Sequence, residues 1–269
     1  MNSSHQDFPH QSPERGSQLS SPRRLVIGDV HGHYGGLLAL LDLLQLQASD
    51  QVYFLGDLID RGPASAQVVE LVMSRGYTCL LGNHEQMCLN ALYGRPLSNS
   101  WQAWLMSGGN DTLDSYGSNG IPRDHLDWLR NLPLYLDLDD VWLVHAGLDP
   151  TREIEEQSIQ EFCWIREAFH SCTAPYFHDK LIITGHTITF TLPGVQPGQI
   201  AQGQGWLDID TGAYHPRSGW MTALDLSTGI VYQVNVFLEQ RRKLPLSELV
   251  ATVEPSRIGR PFHRSAFRG

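Results

Sequence analysis

The chain has 269 residues, 41% of them hydrophobic, enough for a sizeable core in one or two domains and too many for a disordered or fibrous protein. Nineteen Lys and Arg against 29 Asp and Glu give a net charge of −10, which opposes general binding to nucleic acid or anionic lipid. With no apolar run of about 18 residues and no apolar centre for a secretory signal in the first 22, the chain reads as soluble and cytoplasmic.

Residues 1–22, rich in Ser, Pro, Gln and His without hydrophobic period, read as a disordered leader. From Arg24 onward short apolar runs end in Gly, Asn or Asp. RRLVIGDV (23–30), QVYFLGDL (51–58) and YTCLLGNHE (77–85) read as strands. Between them, 34–47 carries a broad leucine face and 63–76 ends in Gly76, a helix C-terminal signal. This alternation predicts parallel strands with right-handed crossovers, whose functional loops leave the strands' C-terminal ends. Residues 86–135, with Trp101, Trp104, Trp128, Leu105 and Leu129 at helical spacings, read as a helical insertion. VWLVHAG (141–147), KLIITGHT (180–187) and WLDIDTGA (206–213) restore the strand-to-loop pattern, and 221–237 alternates around a Ser-Thr-Gly turn as a hairpin, giving a more antiparallel second half. From Glu239 the chain turns basic and proline-containing, which reads as a loosely ordered tail, 239–269. Cys79, Cys88, Cys163 and Cys172 have no C-x-x-C spacing and read as reduced thiols.

Five strand ends carry possible ligands: Asp29 and His31 in GDVHG, Asp57 and Asp60 in GDLIDRG, Asn83 and His84 in GNHE, His145 in VHAG, and His186 in GHT. One Asp after an apolar strand is ordinarily a turn former; five such ends in succession, flanked by glycines that permit close backbone approach, point to a shared site. Mixed carboxylate and imidazole donors suit Mn²⁺, Fe or Zn²⁺ better than Ca²⁺ or a thiolate-loving ion. They outnumber what one ion with an open position takes, so two ions sharing a carboxylate is the economical arrangement.

In this order the motifs GDVHG, GDLIDRG, GNHE, HAG and GHT resemble the metallophosphoesterases, specifically the PPP-type phosphoprotein phosphatases, over roughly residues 24 to 235. The resemblance implies an α/β fold, a four-layer αββα sandwich of two mixed β-sheets, in one catalytic domain over 23–238. It implies that Asp29 and His31 hold one metal, Asp57 bridges, and Asn83, His145 and His186 hold the second. By the same resemblance His84 is the general acid, oriented by Asp60, while Arg61 and Arg166 grip substrate phosphate. The implied reaction is phosphomonoester hydrolysis by a metal-bridging hydroxide, with two divalent ions, Mn²⁺ foremost and Fe or Zn²⁺ as alternatives. Asp210, in an Asp-Thr-Gly after a strand, is expected to shape its turn. Symmetrical diadenosine tetraphosphatases are related, but tend to lack the acid of the Asp-Arg-Gly motif and to end the third motif in GNHD. Because this chain keeps Asp60 and Glu85, the expected substrate is phosphoserine or phosphothreonine in proteins, with a dinucleoside polyphosphate or another small phosphoester as the alternative. A catalytically silent binding module is the reading from another class, and retention of every matched ligand together with His84 stands against it. No partner beyond the substrate is expected, neither nucleic acid nor membrane, and the chain is expected to be a monomer. Trp101, Trp104 and Tyr116 are the aromatic side chains that could stack bases if the substrate were a dinucleotide.

Overall fold

The computed structural model describes residues 22–94 and 99–259, so the leader expected over 1–22 lies, but for Pro22, outside the described residues. In chain order β1 (Arg24–Ile27), α1 (Tyr34–Leu44), β2 (Gln51–Phe54), α2 (Ser65–Ser74) and β3 (Thr78–Cys79) form the alternation that the sequence announces. Gly76 takes φ +64, the left-handed turn that stops the α2 segment. Helices α3 (Asn83–Tyr93), α4 (Ser100–Trp104), α5 (Asn110–Tyr116) and α6 (Arg123–Arg130) follow. Next come β4 (Tyr135–Asp137), β5 (Val141–Val144), α7 (Ile159–Trp164), α8 (Glu167–His170), β6 (Leu181–Thr184), β7 (Ile200–Gly203) and β8 (Trp206–Asp208). The chain closes with β9 (Trp220–Asp225), β10 (Ile230–Asn235), β11 (Arg241–Pro245), α9 (Leu246–Leu249) and β12 (Val250–Thr252).

The strands form two mixed sheets, β11-β10-β9-β1-β2-β3 and β12-β7-β8-β6-β5-β4. Parallel pairing joins β1 to β2 and β2 to β3 in the first, and β5 to β6 and β6 to β8 in the second. The second half is therefore antiparallel only in part, at β4–β5, β7–β8 and the β9–β10–β11 meander.

Alternation along each strand explains the layering. Leu25 and Ile27 turn outward to pack with Leu37, Leu40 and Val68 of the helices, whereas Val26 turns inward to Ile183, Leu207 and Leu224 between the sheets. On the second sheet Trp142 and Val144 face Phe162 and Phe169 outside, and Val141 and Leu143 face the inter-sheet core. Burial on both faces is why these strands read as continuous apolar runs.

The tail expectation needs correcting. Residues 239–259 are ordered: β11 edges the first sheet against β10, and β12 edges the second against β7. Their basic residues find partners, Arg241 on Asp42 at 2.6 Å and Arg242 on Gln233 at 2.6 Å and over the Trp220 ring at 4.1 Å. Leu249 and Val253 are buried.

Candidate active site

Both sheets deliver their parallel strand ends to one edge. Backbone geometry there is demanding: His31, Asp57, Asp60, Arg61 and His186 all hold positive φ. Side chains and backbone approach so closely that a Cβ at Gly82 would collide with Asp57 Oδ1, and one at Gly185 with Asp29 Oδ1.

Three histidines are oriented alike. His31 Nδ1 donates to the Ile59 carbonyl at 3.0 Å, His145 Nδ1 to Leu55 at 2.8 Å, and His186 Nε2 to Trp164 at 3.3 Å. A carbonyl only accepts, so in each ring the opposite nitrogen is left with its lone pair. Those lone pairs converge on acceptors. His31 Nε2 lies 3.7 Å from Asp57 Oδ2 and 3.8 Å from Asp29 Oδ2; His145 Nε2 lies 3.4 Å from Asp57 Oδ1 and 3.0 Å from Asn83 Oδ1; His186 Nδ1 lies 2.8 Å from Asn83 Oδ1. Asp29 accepts from the His186 N–H at 3.2 Å. Two ligand clusters result, His31, Asp57 and His84 in one and Asp57, His145 and His186 in the other, with Asp57 in both. Two N–H donors reach into this set, Arg61 Nη1 at His31 Nε2, 2.7 Å away, and the His84 N–H at Asp57 Oδ1, 3.0 Å away, while His145 Nε2, His186 Nδ1 and Asn83 Oδ1 face one another as acceptors; such a buried cluster of imidazole, carboxylate and amide donors fits divalent metal ions.

The electrostatics agree. Burial, with Asp210 and Asp57 nearby, raises Asp29 well above the usual carboxyl range, and burial lowers His31, His145 and His186. For Asp57 burial alone would also push upward, but the surrounding His145, His84, His31 and His186 outweigh it and hold the carboxyl low. Burial and Asp57 raise Glu85 to about 8, and burial raises Asp210 to about 6. A pocket so rich in buried carboxyls attracts positive charge.

His84 sits apart from the carbonyl pattern. Its Nδ1 donates to Asp60 Oδ2 at 2.7 Å, and its Nε2 points to Asp57 Oδ2 at 4.0 Å. Asp60 is in turn held by the helical segment: Thr112 Oγ1 donates to Oδ1 at 2.6 Å, and Trp104 Nε1 to Oδ2 at 3.0 Å. The Asp60 N–H reaches Thr112 Oγ1 at 2.9 Å and Ser65 Oγ at 3.1 Å. Asp60, Trp104 and Thr112 are fully buried. Trp104 therefore cannot stack a base, and Tyr116 is spent on His125 Nδ1 at 2.8 Å. Thr112 and Ser65 belong to no motif, and no local pattern in the sequence marks partners 52 and 5 residues from Asp60.

Glu85, three residues into α3, ties the second and third motif loops together, accepting from the N–H groups of Asp57 at 2.9 Å, Leu58 at 2.8 Å and Gly82 at 3.0 Å. Asp210 does shape its turn, accepting from Gly212 N at 2.9 Å. Arg61 lies at the site, its Nη1 donating to His31 Nε2 at 2.7 Å and its guanidinium 4.0 Å over the Tyr214 ring. Arg166 reaches the same edge from the second sheet's side, donating from Nη1 to the His186 carbonyl and Thr187 Oγ1, both at 3.1 Å. The structure thus brings all ten candidate residues to one edge. All four cysteines are free, and none joins it.

Comparison with known proteins places this geometry. The family model of the calcineurin-like phosphoesterases matches residues 22–200. A symmetrical bis(5'-nucleosyl)-tetraphosphatase of Methylobacillus flagellatus is 34% identical over 134 residues, 49% of this chain and 45% of that protein. One from Coxiella burnetii is 35% identical over 145 residues, 52% and 47% of the respective chains. The alignment thus spans about half the length of these curated relatives. Among solved structures, a metallophosphoesterase from Sphaerobacter thermophilus superposes with a TM-score of 0.51 at 19% identity, covering 84% of this chain and 91% of that one. A protein serine/threonine phosphatase from Saccharomyces cerevisiae does so with 0.50 at 16% identity, over 81% and 74%. These two likenesses speak for the fold alone. With the family model matching well over half of its length, around the loops that carry the converging lone pairs, the chain belongs to the calcineurin-like phosphoesterase family.

Proposed function

We propose that this chain hydrolyses the phosphoanhydride of a dinucleoside polyphosphate, using two divalent ions, Mn²⁺ in the first instance. The observation that supports the phosphoesterase chemistry is the convergence of the His145 and His186 lone pairs on Asp57 and Asn83, with His31 Nε2 3.7 Å from Asp57 and held by Arg61, next to a proton donor and a second guanidinium. Asp29, His31 and Asp57 would hold one ion, and Asp57, Asn83, His145 and His186 the other. When bound, such ions activate water and neutralise the transferring phosphoryl group. The chain's own part is positioning and proton transfer. Arg61, braced by Tyr214, and Arg166, braced by Thr187, grip phosphoryl oxygens. As water's oxygen bonds to phosphorus and the bond to the leaving oxygen breaks, His84 Nε2 gives that oxygen a proton; Asp60 keeps hold of Nδ1–H throughout.

The substrate choice rests on the relatives. The motif differences at Asp60 and Glu85 favour phosphoproteins, whereas proteins 34% and 35% identical to this one are named for a dinucleoside tetraphosphate. Phosphoserine and phosphothreonine proteins stay as the second reading, supported by the Asp60–His84 pair. A side-by-side assay of the Mn²⁺-loaded protein decides: kcat/KM on diadenosine tetraphosphate should exceed that on phosphoserine peptides by at least about tenfold, some 1.4 kcal/mol of transition-state stabilisation. The opposite ranking would return the protein to the phosphoprotein reading.

A further inference from the structure

Beside Arg166 lies a cavity of about 430 Å³ that no motif accounts for. Its walls come from three separate places: α8 contributes Glu167, the loop after β6 contributes Thr187, Thr191 and Leu192, and the segment after β12 contributes Arg257 and Ile258. The last wall is the stretch whose basic composition read as loose tail, and it lies outside the residues that the family model matches.

The position and chemistry of this space are specific. Arg166 belongs to both compartments: Nη1 is bonded to the His186 carbonyl and Thr187 Oγ1, while its Nη2 and Nε have no hydrogen-bond partner among the described residues. The Arg257 guanidinium also has none there. It lies over the turn at Gly194, where a Cβ would sit 3.6 Å from Nη1, and Gly259 closes against the Glu167 carboxylate in the same manner, at 3.2 Å. Two guanidiniums with free donors therefore share a space with an apolar wall of Leu192, Pro193 and Ile258 and with hydroxyl and carboxylate groups from Thr191 and Glu167. The volume falls within the roughly 300–1,000 Å³ of small-molecule sites. Phosphate oxygens suit the arginines, an aromatic base suits the apolar wall, and ribose hydroxyls suit Thr191 and Glu167.

We propose that this cavity is the subsite for a nucleotide portion of the substrate that continues from the phosphoryl group gripped by Arg166, with Arg257 holding its phosphate. The proposal rests on the dinucleoside polyphosphate reading above. It makes Arg257 a specificity residue rather than a catalytic one, and it supplies the base-binding place that Trp104 cannot.

Calorimetric titration of Mn²⁺-loaded protein with ADP, inorganic phosphate and a phosphoserine peptide tests it. Arg257→Glu should weaken ADP binding at least about tenfold, as loss of a charge-assisted contact and its replacement by a like charge require, while inorganic phosphate, which needs only the Arg61 and Arg166 site, shifts less than about twofold. In turnover, the same variant should lose at least about tenfold more kcat/KM on diadenosine tetraphosphate than on p-nitrophenyl phosphate. ADP affinity insensitive to Arg257→Glu overturns the subsite, as does an equal loss for ADP and phosphate. A peptide loss matching that of ADP overturns it too, and assigns the cavity to a polypeptide. Wild-type protein unable to turn over p-nitrophenyl phosphate would sink the phosphoesterase reading and the subsite with it; normal turnover with any of the three overturning results just named sinks the subsite alone.

Discussion

At the scale of single residues the feature with the sharpest consequence is the chain Trp104–Asp60–His84. A general acid contributes about 10²–10⁴-fold, and mostly where the leaving group is poor. His84→Asn should therefore slow an alkyl phosphoester far more than an aryl phosphate, whose leaving oxygen scarcely needs a proton; equal losses on both would remove His84 from the proton-donor role. Trp104→Phe keeps the buried ring and deletes the N–H that reaches Asp60, so it should show the same leaving-group pattern in weaker form. If the two effects arise through one path, Trp104→Phe should add little in a His84→Asn background. The sequence made the two ends of this path unequal. Asp60 stands in a motif loop after β2 and His84 in the first turn of α3 after β3, where residue type and flanking glycines announce a site. Trp104 and Thr112 sit in helices at spacings an ordinary packed core would also produce, and their contact with Asp60 spans 44 and 52 residues.

At the scale of elements, the strands whose two faces are buried were legible because their apolar runs are continuous, and the helices because leucine recurs on one face. β11 was not. An edge strand needs only half its residues turned inward, and Arg241, Lys243 and Pro245 on the outer side look in one dimension like an unstructured basic stretch. Charged residues and proline are what native edges carry to discourage pairing with another chain. The structure makes the end of this segment matter for stability. Leu249 is buried in the core between the sheets, so Leu249→Ala should cost about 2–5 kcal/mol in urea unfolding, the usual range for such a truncation. A change below about 0.5 kcal/mol, the scale of an ordinary surface substitution, would mean that α9 does not pack in solution as it does here.

At the scale of the whole molecule, the site concentrates buried carboxyls in a chain already carrying a charge of −10. Burial lifts Asp210 from an ordinary 3.8 to about 6, and burial with Asp57 lifts Glu85 from 4.5 to about 8. The folded, metal-free chain then holds protons that the unfolded chain has released, so the stability these groups contribute is full below their ordinary values and is lost as pH rises to about 6 and 8. Divalent cations offset such a loss with positive charge, and imidazoles bind them only when neutral. The rise in Tm on adding Mn²⁺ should accordingly be larger at pH 8 than at pH 6; a gain that shrinks over this interval would contradict the assignment of the cluster as a cation site.

The strand order of the first sheet has a bearing on how the protein is made. β1, which carries Asp29 and His31 on its following loop, is flanked on one side by β2 and on the other by β9, whose residues 220–225 are added to the growing chain after every one of the ten site residues. Gly28, immediately before Asp29, donates its backbone N–H to this late strand, at the Thr222 carbonyl, 3.1 Å away. A ribosome-bound chain halted near residue 215 would possess all ten candidate site residues and lack the strand that holds the first of them in line. A polypeptide ending there should accordingly bind Mn²⁺ more weakly than the whole chain, and calorimetric titration of the two would show it; equal affinities would mean that β9 is not needed to align the loop after β1.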